Sequence, residues 1–433
     1  MARTPFLLGW LALPAALNAQ SLYFPPNGSS SWDTISPASL GWCPDRIDSL
    51  IDFVGSRNTK AFLLLKDGKI VLEHYYGTFT QDSLWYWASA GKTLTAMLTG
   101  IAQEEGYLDI DLASQIYLGT GWTSCPPPKE AVITVKNQLT MTTGLDDGVP
   151  DDDCTVPSCL QYLADAGTRW AYHNAPYTLL DDVIAGATGT TFSNYFNTRL
   201  RNPIGMDGFW FPAGSLYNNV YFSKARSMAR YGLLALNRGV WANDTILHDT
   251  SYFSAMTTPS QGLNESYGYL WWLNGQPSFM VPTLQFVFPG MLMPDAPGDM
   301  VCGLGRNDQL LNVVPSQNLV LVRMGDPAYT TLSVPITFNN EIWQRINLLP
   351  CTTSLAERTL SPLRVHPNPT GDRLTVTLPN GSLASDLHLF DAMGRELPIL
   401  RTRDGIDLAG HAPGLYTVQL RGDRPASVRV LKQ

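Results

Sequence analysis

Beyond its first 20 residues, the 433-residue chain has no apolar run long enough to cross a bilayer. Charge is sparse. Charged residues make up 15% of the chain and the net charge is −8, which offers no footprint for nucleic acid or an anionic membrane surface. The six histidines (His74, His173, His248, His366, His388 and His411) fall in no His-x-x-x-His or His-Glu-x-x-His spacing, so a zinc centre is disfavoured. There is no Gly-x-Ser-x-Gly elbow and no evident serine–histidine–acid order, which sets aside a histidine-activated serine. No internal repeat is visible.

What the chain does have is length for two or three units and an apolar fraction of 44%, enough for a sizeable core. Residues 1–19 read as a secretory signal. Arg3 supplies a short positive start, an apolar run spans Phe6 to Leu17, and Ala19 offers a small residue before the cut. The six cysteines (Cys43, Cys125, Cys154, Cys159, Cys302 and Cys351) are an even set, which in an exported chain fits disulfides, with Cys154–Cys159 as the first candidate pair.

Residues 20–40 are rich in Pro, Ser, Gly and Asn and read as an extended lead-in. Ala61–Leu65 and Ile70–Glu73, separated by a Gly-containing turn, predict a hairpin. A helical pattern runs from Ser89 to about Glu105, and residues 109–264 predict mostly helices and loops, with an amphipathic helix over Phe222–Leu236. Strands return at Tyr269–Leu273, Met300–Gly305, Leu310–Val314 and Leu319–Met324. Strands at both ends with helices between them predict an α+β domain over residues 41–355. Residues 361–433 predict a small all-β unit, with strands at Leu374–Leu378, Leu387–Phe390, Leu415–Leu420 and Ser427–Leu431. This tail carries nine Arg/Lys against seven Asp/Glu, whereas residues 20–360 carry 19 against 30.

Ser89-Ala90-Gly91-Lys92 is the one Ser-x-x-Lys in the chain. Residues i and i+3 of a helix share a face. A serine in the first turn also has its own N–H free to donate, at the positive end of the helix dipole. The tetrapeptide thus supplies a hydroxyl, an amine and an oxyanion donor within one turn. A solvated helix cap is the plain alternative. A lysine-activated serine needs a second proton carrier. Three Tyr-x-Asn triplets offer one, at Tyr172, Tyr195 and Tyr217. Tyr172-His173-Asn174 stands in a loop just before Pro176, which suits a first helical turn. Tyr195 falls inside a helical pattern, and Tyr217 in an Asn-rich loop reads as a turn residue.

Taken in order, Ser89-Ala90-Gly91-Lys92, the segment Leu139–Leu145, Tyr172-His173-Asn174 and the stretch Phe222–Gly232 resemble the serine β-lactamase-related hydrolases. That family includes class C β-lactamases, D-alanyl-D-alanine carboxypeptidases, and esterase and nylon-oligomer hydrolase relatives. The resemblance covers about residues 40–350. It implies an antiparallel sheet flanked by helices with a helical insertion, Ser89 as nucleophile, Lys92 and Tyr172 as the proton-transfer pair, and Asn174 as a substrate-amide contact. It implies no cofactor. The family's third motif, Lys-Thr-Gly or His-x-Gly, maps onto Gly303-Leu304-Gly305, followed by Arg306. Gly303 stands where the substrate-carboxylate cation belongs and Leu304 where the hydroxyl belongs, which is closer to the esterase branches. Arg306 remains as the backbone donor to an oxyanion. Trp85, Tyr86, Trp87, Trp170, Trp271 and Trp272 either line an apolar cleft or fill the core.

In the tail, Val365–Thr370 with its Pro-Asn-Pro, Phe390–Arg395 and Pro413–Val418 resemble the C-terminal sorting domain of the type IX secretion system of Bacteroidetes. The alternative is a carbohydrate-binding β-sandwich. The expectation is therefore a secreted or cell-surface serine hydrolase, exported through the periplasm. It would act through a Ser89 acyl-enzyme on small-molecule or peptide-like esters or amides, with the type IX machinery as partner. A peptidoglycan D-Ala-D-Ala carboxypeptidase or β-lactamase is disfavoured by the missing cation. A non-catalytic surface-binding protein would have no need of Ser89, Lys92 and Tyr172 together.

Overall fold

The computed structural model describes residues 22–213, 218–329, 335–351, 363–378, 386–421 and 426–433. The expected export signal at residues 1–19 and Tyr217 lie outside them. The chain divides into two compact units, Met1–Cys351 and Thr352–Gln433.

The first unit is built on a six-stranded antiparallel sheet. Its order is Lys69–Tyr75, Thr59–Lys66, Leu319–Gly325, Gln309–Val314, Val301–Gly305 and Trp272–Leu273. The central strands are buried along their whole length, because their apolar residues run on without alternation and both faces are covered. Successive residues reveal the two covers. Leu311 and Val320 press on Gly232 of the helix Ala225–Leu236, where a Cβ would stand 2.9 and 2.5 Å from them. Asn312 exchanges two amide hydrogen bonds with Asn339, at 2.7 and 3.0 Å, on the opposite face in the helix Ile336–Ile346. That helix packs on Pro44–Gly55, and a Cys43–Cys351 disulfide joins the residues just outside the pair.

The second disulfide is the expected Cys154–Cys159. Cys125 and Cys302 are unbridged and buried. Full pairing of the six therefore does not occur. Cys302 sits inside the sheet, with its Sγ against the Trp272 carbonyl oxygen, where no second cysteine faces it.

The insertion holds more strand than its pattern suggested. Trp85–Tyr86, Asn218–Ser223 and Phe209–Ala213 form a three-stranded sheet. Phe222 and Ser223 belong to it, and the helix begins only at Ala225. Asp207 Oδ1 fixes that start, accepting from the Lys224 amide at 3.1 Å and the Ser227 hydroxyl at 2.7 Å. The strand expected over Tyr269–Leu273 shortens to Trp272–Leu273, because Leu270 takes a left-handed φ of 59°. Among the described residues, no helix is long and apolar enough to cross a membrane.

The second unit is all-β. One four-stranded sheet runs Arg364–His366, Arg373–Thr377, Gly405–Asp407, Leu400–Arg401, and the other Glu396–Leu397, Leu387–Phe390, Gly414–Leu420, Ala426–Lys432. Leu374 and Ile406 of the first sheet and Leu389, Val418 and Val430 of the second share a single buried cluster, so the unit has its own core.

Candidate active site

Ser89 lies on a tight connection between strand and helix. Trp85–Tyr86 pairs with Phe222 and Ser223, and the Trp87 amide donates to the Tyr221 carbonyl at 2.8 Å. Trp87 is fully buried, its Nε1 bonded to the Ser223 hydroxyl at 2.8 Å. Ala88 then takes a left-handed φ of 46°, a strained value for a residue with a Cβ, and a 3₁₀ turn over Ala88–Gly91 leads into the helix Lys92–Glu104. The result lifts Ser89 out of the helix proper and points it at a cleft of about 300 Å³.

Lys92 stands beneath it, 2% exposed. Its Nζ donates to Ser89 Oγ at 3.3 Å and to Asn174 Oδ1 at 2.9 Å, and lies 4.0 Å from the centre of the Tyr177 ring. Among the described residues, no carboxylate is at ion-pair distance. Burial pushes this lysine down to about 7, with the longer-range fields of Asp153, Asp152 and Asp181 working against the fall. Near neutrality, such an amine can take up a proton.

Tyr172 precedes the short helix Asn174–Thr178. Its ring stacks on Trp272 at 5.9 Å and meets Tyr267 edge-on at 6.2 Å, which fixes its direction. Lys92 Nζ lies 5.4 Å from the centre of its ring. Burial holds the phenol above its ordinary range, outweighing the lowering influence of the neighbouring Ser89 side chain. A nearby ammonium favours phenolate, but here desolvation dominates. Tyr172 therefore keeps its proton at neutral pH and is a donor or relay. His173, between the two motif residues, is buried and turned away, with neither ring nitrogen hydrogen-bonded among the described residues.

The strand Val301–Gly305 passes directly against the Ser89 turn. A Cβ on Gly305 would stand 2.3 Å from the Trp87 carbonyl oxygen, and one on Gly303 3.2 Å from that of Ala90. Both positions thus face the turn, and Leu304, on the alternate side, goes into the core at 3% exposure. Only Arg306 of these four residues lines the cleft. Trp272–Leu273 pairs only with Val301 and Cys302, so among the described residues the outer edge from Gly303 onward has no partner strand. Arg306, Asn307 and Asp308 form a three-residue turn, with Asn307 and Asp308 at left-handed φ, and Asn307 Nδ2 donates to the Tyr86 hydroxyl at 2.7 Å.

The β-lactamase family profile matches residues 50–326. The chain belongs to the β-lactamase family. The solved structures it is similar to include a protein described as a β-lactamase from Bacteroides dorei. The identity there is 16%, the TM-score 0.56, and the match covers 71% of this chain and 99% of that one. A protein described as a 6-aminohexanoate-dimer hydrolase from Bacillus anthracis matches at 18% identity and a TM-score of 0.53, over 76% and 89%. A penicillin-binding protein homolog from Caulobacter crescentus matches at 14% and 0.52, over 66% and 93%. These likenesses bear on the fold. No curated protein matches the chain. Family membership makes this a β-lactamase-related serine hydrolase.

Several residues of this β-lactamase-family site escape motif reading. Asp152 and Asp153 reach it from the segment just before the loop that Cys154–Cys159 closes. Asn174 Nδ2 donates to Asp152 Oδ2 at 3.4 Å, and Asn218 Nδ2 to Asp153 Oδ1 at 3.3 Å. Asp181 is held above the usual carboxylate range by burial, and accepts from the Asn219 amide at 2.9 Å. Three successive acids beside a cysteine were a visible signal, and the Asn-rich stretch read as a turn supplies Asn218 and Asn219 to the cleft wall. Of the six aromatics left open between cleft and core, Trp87, Trp170, Trp271 and Trp272 are core, Trp85 is half-buried, and Tyr86 lines the cleft.

The structure also separates the tyrosines. Tyr195 donates to Glu105 Oε2 at 2.8 Å and packs edge-on against Tyr107. Tyr172→Phe is expected to lower kcat/KM by roughly 10²–10⁴, and Tyr195→Phe to leave it unchanged at a stability loss of about 1 kcal/mol. Ester kinetics and thermal melts of both variants check this. Equal activity losses would remove Tyr172 from the proton path.

Proposed function

We propose that the chain is an exported serine hydrolase that forms an acyl-enzyme on Ser89 with ester or amide substrates. The observation that carries this is the 3.3 Å contact from Lys92 Nζ to Ser89 Oγ, made by a buried lysine lowered to about 7. Lys92 takes the Ser89 proton as Oγ attacks the carbonyl carbon. Tyr172, keeping its proton, passes one to the leaving group, and Lys92 replenishes it. Water then attacks the ester by the reverse route. The Ser89 amide and the free edge at Arg306 are the donors for the oxyanion. Asn174 holds Lys92 and is positioned for a substrate amide.

Gly303 offers no cation to a substrate carboxylate, and Arg306 is the one cationic group of that segment on the cleft wall. Nitrophenyl esters are therefore expected to exceed nitrocefin and penicillin in kcat/KM, by roughly tenfold or more. Faster β-lactam hydrolysis would return the chain to the β-lactamase or carboxypeptidase reading.

The tail from 361 to 433 is proposed as a type IX sorting address. Its support is its own buried core, its lack of cysteine and of any candidate catalytic residue, and its sequence resemblance. Deleting it is expected to leave an active hydrolase trapped in the periplasm, read by fractionation in a host that has this system. Truncated protein in the medium would show that the tail is no address.

A further inference from the structure

The three-stranded sheet beside the nucleophile has an unusual outer face. Its register pairs Tyr86 with Phe222, Phe222 with Phe209, and Val220 with Phe211. Directly paired residues share a face, so Tyr86, Phe209, Phe211, Val220 and Phe222 all project to one side. Trp210 and Tyr221 project to the other, against Phe192 and Phe196. The outer face of such a sheet is ordinarily polar. Here Phe209 is 47% and Phe211 53% exposed, and both rings contact Phe222, stacked at 5.8 Å and edge-on at 6.1 Å.

This face is continuous with the catalytic cleft. Tyr86, Val220 and Phe222 line the cleft that holds Ser89 and Lys92. The same cleft is lined by Asp153, Asn174 and Arg306, which suit a polar group near the reacting carbonyl. An apolar ledge rimmed by a polar site marks a binding surface.

We propose that Phe209, Phe211 and Phe222 form a subsite for an extended apolar chain of the substrate, running outward from the acylated carbonyl. The substrate class is then an ester or amide carrying an extended alkyl chain. The inference rests on the serine-hydrolase reading above and adds the chain-length preference. A fully buried methylene is worth about fourfold in binding. On a ledge that covers one side of the chain, roughly 1.8-fold is expected, or about tenfold over four methylenes.

Two series of esters, used below their micellar concentrations, distinguish an acyl chain from a leaving-group chain. The first compares nitrophenyl octanoate with nitrophenyl butyrate, the second octyl acetate with butyl acetate. One series is expected to show about a tenfold preference in kcat/KM for the longer chain. Phe209→Ser/Phe211→Ser should reduce that ratio to within about twofold. The ratio cancels any change in the amount of active enzyme, and Phe211→Ser alone carries the test if the double variant does not fold. Flat ratios in both series, or a preference that survives the substitutions, overturn the proposal. So does a protein that sediments as a dimer and becomes monomeric with Phe211→Ser, because the face would then belong to a second copy. Absence of turnover on every ester, with no labelling by a fluorophosphonate, is a different result. It removes the serine-hydrolase reading and takes this proposal with it.

Discussion

Ser89→Ala is expected to abolish ester turnover, by roughly 10⁴–10⁶-fold, together with covalent labelling by a fluorophosphonate probe. The fold should survive. The left-handed strain sits in the backbone at Ala88, and Trp87 anchors the turn through its amide and indole, none of which the substitution touches. Losing the hydroxyl leaves Lys92 Nζ with its Asn174 bond at 2.9 Å, so the site loses its nucleophile without collapsing. Intact-protein mass spectrometry of wild type and variant after the probe reads the result directly. The other serine of the immediate surroundings, Ser223, is fully buried under the Trp87 indole and cannot substitute. Labelling that persists in the variant would place the nucleophile elsewhere and dismantle the proton path argued from Lys92 and Tyr172.

The legible parts of this protein are the local ones. Ser89 and Lys92 meet because three residues of a helical turn bring them together, and Tyr172 with Asn174 stands at a helix entry that Pro176 marks. The central strands are legible as unbroken apolar runs such as Leu319–Val322. What lies hidden depends on long separations. Cys43 and Cys351 pair across 308 residues. Asp152, Asp153 and Asp181 converge on Lys92 from 60 to 90 positions away, and a charge run on its own more often reads as a solvated face. The three-stranded sheet is obscured for another reason. Phe222 and Ser223 fit both the end of a two-residue alternation and the start of a helical period. Their pairing with Trp85–Tyr86 and Phe209 decides the matter, and pairing is tertiary information. Leu304 shows the converse. Motif alignment puts it at a substrate-facing position, and the strand's alternation turns it into the core.

Lys92→Met is expected to lower kcat/KM by roughly 10⁴-fold, at the upper end for loss of a general base, while leaving the protein at least as stable as wild type. The activity loss follows because, among the described residues, Lys92 is the amine hydrogen-bonded to Ser89 Oγ. The stability argument is electrostatic. Lys92 is buried, its nearest partners are a hydroxyl and an amide oxygen, and its opposing carboxylates act only at longer range. Replacing a buried ion with an apolar group of similar length is often neutral or stabilising, by about 1–4 kcal/mol. The pH dependence fixes the cause. The folded-state value, about 7, lies below the unfolded value near ~10.4. Between the two, the unfolded chain binds the proton and the folded chain does not, so wild-type stability rises with pH by about 1.4 kcal/mol per unit from this group. Below pH 7 both states are protonated and the folded state carries the buried charge in full. The advantage of Lys92→Met should therefore be largest at or below pH 7 and shrink toward pH 10, in melts run across that range. The same titration governs catalysis, so wild-type kcat/KM should climb with a single ionisation near pH 7 and level off above it. Asp152, Asp153, Asp181, Tyr172 and Tyr177 all face this amine, and substituting one of the acids should move that midpoint downward. A flat profile between pH 5.5 and 8.5, or a variant that melts several degrees lower at pH 6, would mean that Lys92 stays charged and paired and that another group takes the proton from Ser89.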